Sequence, residues 1–287
     1  QWTWMDEGLN TYLQFLTEQE WDRNYPSRRG PPKNIVNYMK GNKNNIRPIM
    51  TNSESIYQFG NNAYGKPATA LNILRETIVG RELFDFAFKE YSRTWMFKHP
   101  TPSDFFRILE NATAVDLDWF WRGWFYNTDP VDLSIDQVTW YTLDTKNPDI
   151  EFPLNKKLKE KEPIQIWQER NLIDIQETVV ETDQSANDFY NKYDQFEVTI
   201  LDREDFIKYR DSSVVEAREK KIYNANLNYY EVKFSNIGGL VMPLIIQFNY
   251  KDSSNYIMKI PAEIWKMDRK QITKIFATKK EVASFLL

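Results

Sequence analysis

The sequence predicts an α+β protein: a helical first half, a mixed middle segment, and antiparallel strands toward the end. Two changes in periodicity carry this assignment. Up to about residue 128 apolar residues recur at helical spacing, whereas between 230 and 260 they alternate with polar neighbours at period two. Between them lies a charge-rich stretch starting at Asn155. The 287 residues suffice for about two domains. Residues 1–140, 141–227 and 228–287 read as a helical part, an insertion of mixed structure, and a truncated β-domain.

Residues 4–23 read as a helix, because Leu9, Tyr12, Leu13 and Leu16 form a stripe at i, i+3, i+4, i+7. Glu7, Asn10, Thr11 and Gln14 share that spacing on another face, so Glu7 is expected on an exposed face, in an open concavity. Residues 24–62, rich in Asn, Pro, Gly and Ser, read as loops with one short helix near Ile35–Met39. In Tyr64-Gly65-Lys66-Pro67-Ala68, Pro67 suits a first helical turn and disfavours a helical Lys66. Tyr64 is therefore expected on an extended or turn segment, before a helix that runs to about Val79 and ends at Gly80. A helix over about Arg81–Met96 follows. Thr101-Pro102-Ser103-Asp104 has the form of a capping box and starts a helix through about Glu110. Asp116-Leu117-Asp118 starts the next, which carries Trp119, Phe120, Trp121, Trp124, Phe125 and Tyr126.

Lys156, Lys157, Lys159, Glu160, Lys161 and Glu162 read as a solvated loop or an exposed helix face. In 164–225, strand and helix patterns mix and the spacing does not decide between them. Tyr230, Val232 and Phe234 alternate as a strand. Turns at Asn236–Gly239 and Asp252–Asn255 then delimit strands over Leu240–Tyr250 and Tyr256–Ile260, a β-meander that three strands do not complete.

Composition excludes several chemistries. Cysteine is absent, so there is no disulfide, thiol nucleophile or Cys-ligated zinc. The single histidine, His99, cannot build a multi-histidine metal site and reads as a surface or packing residue. With 37 basic against 41 acidic residues, the chain has no bulk electrostatic case for nucleic acid. No apolar run reaches the ~18 residues of a membrane span. Aromatic residues, at 15% with 10 Trp, fit either a rigid core or a substrate cleft.

The segment Trp4-Met5-Asp6-Glu7-Gly8 resembles the W-x-[ND]-E-G block of the aminopeptidase N family of zinc metallopeptidases, the gluzincins. Tyr64-Gly65-Lys66-Pro67-Ala68 resembles that family's Y-x-K-[GP]-A block. Lys98–Phe106, Asp116–Tyr126 and Phe234–Pro243 resemble later stretches in the same order, and residues 141–227 look like an insertion of some bacterial members. The resemblance implies the helical C-terminal half of a thermolysin-like catalytic domain, followed by the first strands of a β-sandwich. It further implies Glu7 as the third zinc ligand, eighteen residues after an HExxH helix. Tyr64 is implied as the donor to the oxyanion of the tetrahedral intermediate. The activity implied is hydrolysis of peptide substrates, at their N-termini.

Two family features are absent: the HExxH motif and the G-x-M-E-N block that holds the substrate amine. Both would lie upstream of Gln1. The apolar ends, Trp2-Thr3-Trp4-Met5 and Ser284-Phe285-Leu286-Leu287, likewise read as cut from a longer protein. The expectation is a piece of a larger enzyme whose partner is its own missing N-terminal part. Zn2+ belongs to the parent enzyme, this piece is expected metal-free and inactive, and its substrate-binding residues stay unassigned. An extracytoplasmic address is open. The alternatives are a non-catalytic scaffold or binding module, and a glycoside hydrolase with Trp119–Tyr126 as platform and Asp116 and Asp118 as paired acids. Two acids two apart on a helix point to different faces, which argues against the last.

Overall fold

Trp4 fixes where the helical part begins. Its indole is 1% exposed and lies among Phe105, Phe106 and Phe125, at ring-centroid distances of 5.7, 5.8 and 4.8 Å. The computed structural model describes residues 2–214, 216–225 and 227–287. A 3₁₀ turn at Thr3–Met5 leads into α1 (Glu7–Trp21). The buried face of α1 is Gly8, Thr11 and Tyr12, with Leu9 and Leu16 partly buried, whereas Leu13 is 45% exposed. The inward stripe is thus turned away from the expected one. Gly8 causes this: a Cβ there would lie 2.7 Å from Pro67 Cγ and 3.1 Å from the Ala63 carbonyl oxygen, so this side approaches its neighbour most closely.

The short helix α2 (Val36–Met39) lies where the spacing places it. The next helix starts earlier than expected. A π-helical turn at Gly60–Gly65 runs directly into α3 (Lys66–Ile73), and a second π-helical turn at Leu74–Val79 ends before Gly80, whose φ of +93° suits glycine. Tyr64 is therefore helical, not extended. The preference against helix before proline is local. It is overridden because Asn62, Ala63 and Gly65 are buried, as is every residue of α3. A helix in the middle of a core is held by packing on all sides.

Helix α4 (Arg81–Trp95) packs on α5 (Pro102–Thr113). The capping box at Thr101 is present, with the Thr101 N–H donating to Asp104 Oδ2 at 2.8 Å. Helix α6 (Asp118–Trp124) sends Phe120, Trp121 and Trp124 inward, and Trp121 stacks on Phe106 at 4.4 Å.

Strands β1 (Leu133–Thr142), β2 (Asn228–Asn236) and β5 (Gln271–Thr278) form one sheet in the order β1-β2-β5. Strands β3 (Leu244–Tyr250), β4 (Asn255–Ile260) and β6 (Val282–Leu286) form a second, in the order β4-β3-β6. In it, Leu244 pairs with Ile260 and Asn249 with Asn255, antiparallel, and β6 pairs antiparallel on the other edge of β3. The expected meander is thus corrected: β2 and β3 lie in different sheets. The connection between them holds the Asn236–Gly239 turn, where Gly239 has φ +94°, and then Pro243; it passes between sheets instead of closing a tight hairpin. Alternation puts Tyr230, Val232 and Phe234 of β2 in one core with Leu244, Ile246 and Phe248 of β3, closed by Trp265, Phe276 and Val282.

Two compact units result. One comprises Gln1–Thr139, Tyr230–Phe276 and Glu281–Leu287, and the other Trp140–Tyr229 with Ala277–Lys280. After α7 (Pro148–Lys159), the segment whose spacing does not decide, 164–225, carries the helices α8 (Ile166–Asp174), α9 (Val179–Thr182), α10 (Phe189–Lys192), α11 (Ile200–Ser213) and α12 (Ala217–Ala225). Among the described residues of 143–229, only Thr145 and Pro148 are buried.

Candidate functional site

Three features of the sequence place Glu7. Trp4 anchors the chain just before α1, Glu7 opens that helix, and Gly8 lets α1 close on Pro67 and Ala63. Tyr64 lies on the helical turn that carries Ala63, so the packing that brings Gly8 in also brings the two side chains together. The Glu7 carboxylate lies beside the Tyr64 phenol and is the largest cause of a Tyr64 pKa raised above the ordinary phenol value. The negative charges of Glu7 and Asp6 add to the effect, and Arg29 opposes it. Glu7 is half-buried, not on an open face, and Thr11, one turn further on the same side, is 5% exposed.

Arg29 was not singled out by sequence reasoning. Its guanidinium lies over the Tyr64 ring, 4.4 Å from the centroid, and Phe59 meets the same ring edge-on at 5.9 Å. The loop that carries Arg29 is fixed at Gly30, whose φ is +102° and where a Cβ would lie 2.5 Å from the Phe15 ring. The Gly30 carbonyl accepts a bond from Asn72 of α3 at 3.3 Å. The run Arg28-Arg29-Gly30-Pro31-Pro32 was the available signal, since glycine before two prolines marks a constrained turn. Beside Arg29 is a recess of about 240 Å³, lined by Thr11, Gln14, Phe15, Glu18 and Arg28.

Lys66, two residues after Tyr64, is 1% exposed and donates to the Asn127 carbonyl at 2.9 Å. Burial lowers its pKa to about 8, against the opposing charge of Asp129. Asp129 in turn accepts from Lys43 at 2.9 Å and from Asn127 Nδ2 at 2.7 Å. Lys66 thereby ties the helix behind Tyr64 to the loop that leads into β1.

Around Glu7 this chain offers a carboxylate acceptor and a phenol donor, but not a complete zinc site. His99 is exposed. Among the described residues, the one group of three or more acid or imidazole side chains close enough for a common ion is Glu110, Asp116 and Asp118, which does not include Glu7. A single carboxylate falls short of the four-coordinate site that zinc takes, so no step through zinc is derived from these residues.

The same trio corrects an expectation. Asp116 and Asp118 do not point to different faces. Together with Glu110 they bring one oxygen each within 4.8 Å of one another. Helix spacing does not govern them, because α6 begins only at Asp118 and Asp116 precedes its N-cap, Leu117, accepting from the Asp118 N–H at 3.1 Å in a local turn. Glu110 accepts from the Leu117 N–H at 3.1 Å and from Trp121 Nε1 at 3.2 Å. Burial raises its pKa, and the charges of Asp118 and Asp116 add to this. Among the described residues no helix is long and apolar enough to cross a membrane. No protein-family model, curated protein or solved structure matches this chain.

Proposed function

We propose that this chain is the part of an aminopeptidase N-like zinc metallopeptidase that follows its HExxH helix. In this reading Glu7 is the carboxylate donor of a zinc site whose other ligands lie outside the chain, and Tyr64 is the phenol that stabilises the oxyanion. The substrate is a peptide cut at its N-terminus. One observation carries the reading: the start of α1 closes on the turn that carries Tyr64, Gly8 against Ala63 and Pro67, so that Glu7 and Tyr64, 57 positions apart (64 − 7), lie side by side. A scaffold or binding module has no need of that meeting. Hydrolysis does, because the metal and the oxyanion donor must reach the same carbonyl oxygen.

The chemistry asked of this chain is modest. Glu7 holds negative charge at one point, and the phenol turns from Glu7 to the substrate oxygen as charge grows there. Arg29, over the ring, restrains the phenol's swing.

The test begins with the coding sequence upstream of Gln1. The extended chain is then assayed on aminoacyl 4-nitroanilides. The expected result is an HExxH eighteen residues before Glu7, with nitroaniline release that chelators stop, zinc restores, and Glu7→Gln abolishes. An extended chain without HExxH, or one that carries it and releases nothing, overturns the reading.

A further inference from the structure

Helix α6 divides its aromatic residues between two environments. Phe120, Trp124 and Phe125 are at most 1% exposed and belong to the helical core. Trp119 is half-buried and Tyr126 is 52% exposed, and both line a groove of about 750 Å³. Trp121 and Trp265 are buried beneath it. The volume falls within the roughly 300–1,000 Å³ of small-ligand sites. Trp119 packs one side against the core, 5.7 Å from Phe120, and Tyr126 lies 6.4 Å from Phe106, but both keep ring surface facing the groove that the core does not use.

The charges of the lining decide what kind of ligand fits. Arg107, Arg122, Lys266 and Arg269 bring four positive charges to it. Glu110, Asp116, Asp118 and Glu263 bring four negative ones, so the formal sum is zero. Among the described residues, none of these eight belongs to an ion pair, although such pairs form elsewhere in the chain. A cationic ligand would meet four positive side chains here, and an anionic ligand four negative ones. A neutral ligand dense in hydroxyl groups meets neither penalty. Carboxylates accept from such hydroxyls and guanidinium groups donate to them. Indole and phenol rings offer apolar faces to the C–H side of a pyranose, with a polar end left for bonding.

We propose that this groove binds a neutral oligosaccharide, with Trp119 and Tyr126 as its stacking platforms. The site shares no residue with the Glu7–Tyr64 pair and stands whatever becomes of the peptidase reading. It is a binding site; no bond cleavage is assigned to it.

The test uses the intact chain. Tryptophan fluorescence and calorimetry follow the addition of cellotriose, maltotriose, laminaritriose and tri-N-acetylchitotriose. The expected result is saturable binding of at least one, unchanged by 0.5 M NaCl because the ligand carries no charge. Trp119→Ala and Tyr126→Ala should each weaken it about tenfold, with the circular dichroism spectrum and melting temperature kept. Absence of binding for all four probes overturns the proposal, as does binding that both variants retain. So does selective binding of calcium or spermidine that Asp118→Asn abolishes, which would make the groove a cation site.

Discussion

The Glu7 carboxylate lies beside the Tyr64 phenol, across 57 positions of sequence (64 − 7), and raises its pKa above the ordinary phenol value. The neutral phenol is favoured there, since a phenolate would face a carboxylate. Glu7→Gln removes that charge, so the Tyr64 pKa should fall toward the ordinary phenol value. The measurement is an ultraviolet titration of Glu7→Gln against the unaltered chain, with Tyr64→Phe subtracted from each to isolate one phenol. A Tyr64 titration that does not move would mean that the pair does not meet in solution.

Gly8 is what allows this approach. A methyl group there would meet Pro67 Cγ at 2.7 Å and Pro67 Cβ at 2.8 Å, and neither ring atom can swing aside. Gly8→Ala should therefore push α1 off the helix that carries Tyr64. The expected cost is about 1–3 kcal/mol in urea unfolding, typical of overpacking in a core. The same variant should shift the Tyr64 titration in the direction that Glu7→Gln does, and unchanged stability would refute the close approach.

Lys66 makes stability depend on pH in a defined window. Its folded pKa is about 8, against 10.5 for the free group. Below pH 8 both states are charged and the native state bears the full desolvation cost. Between pH 8 and 10.5 the unfolded chain holds the proton more tightly, so stability rises with pH. The difference amounts to about 3 kcal/mol. Relative to Lys66→Met, which has no such titration, the unaltered chain should gain stability across that window. Parallel curves for the two proteins would refute a buried, destabilised ammonium.

The unit formed by Trp140–Tyr229 with Ala277–Lys280 has few anchors. Ile166, Trp167, Leu172, Ile173 and Phe189 are each more than half exposed. Local opening costs least where little apolar surface is buried. Brief trypsin treatment should therefore cut first between Lys156 and Lys221, and the pieces on either side should co-elute under native conditions. First cuts at Arg75 or Arg107, in the helical core, would contradict this.

Legibility in the sequence followed locality. The capping box at Thr101, the stop at Gly80 and the alternation in β2 and β3 depend on neighbours a few residues away, and each is found where its signal lies. What failed depends on distant contacts. Tyr64 is helical because α3 is enclosed, Leu13 is exposed because Gly8 turns the helix, and β2 parts from β3 because the two strands join different sheets. At the site, Glu7 and Tyr64 were legible only as members of two short motifs. Arg29 and Lys66 acquire their surroundings from residues 35 and 61 positions away (64 − 29, 127 − 66), which no local pattern reports.

The last prediction concerns kinetics in the extended chain and rests on the proposed function. In the structure the Tyr64 phenol lies beside Glu7, which favours its neutral, donating form. If its bond to the substrate oxygen forms mainly as charge develops, Tyr64→Phe removes stabilisation that exists only in the transition state. The loss for one such donor is about 10²–10³ in kcat, or about 2.7–4 kcal/mol, while KM changes little. Phenylalanine keeps the ring that Arg29 covers and Phe59 abuts, so the surrounding packing is retained. A raised KM with kcat unchanged would make Tyr64 a ground-state binding residue. Full activity in both parameters would remove it from the reaction, and its place beside Glu7 would then be structural.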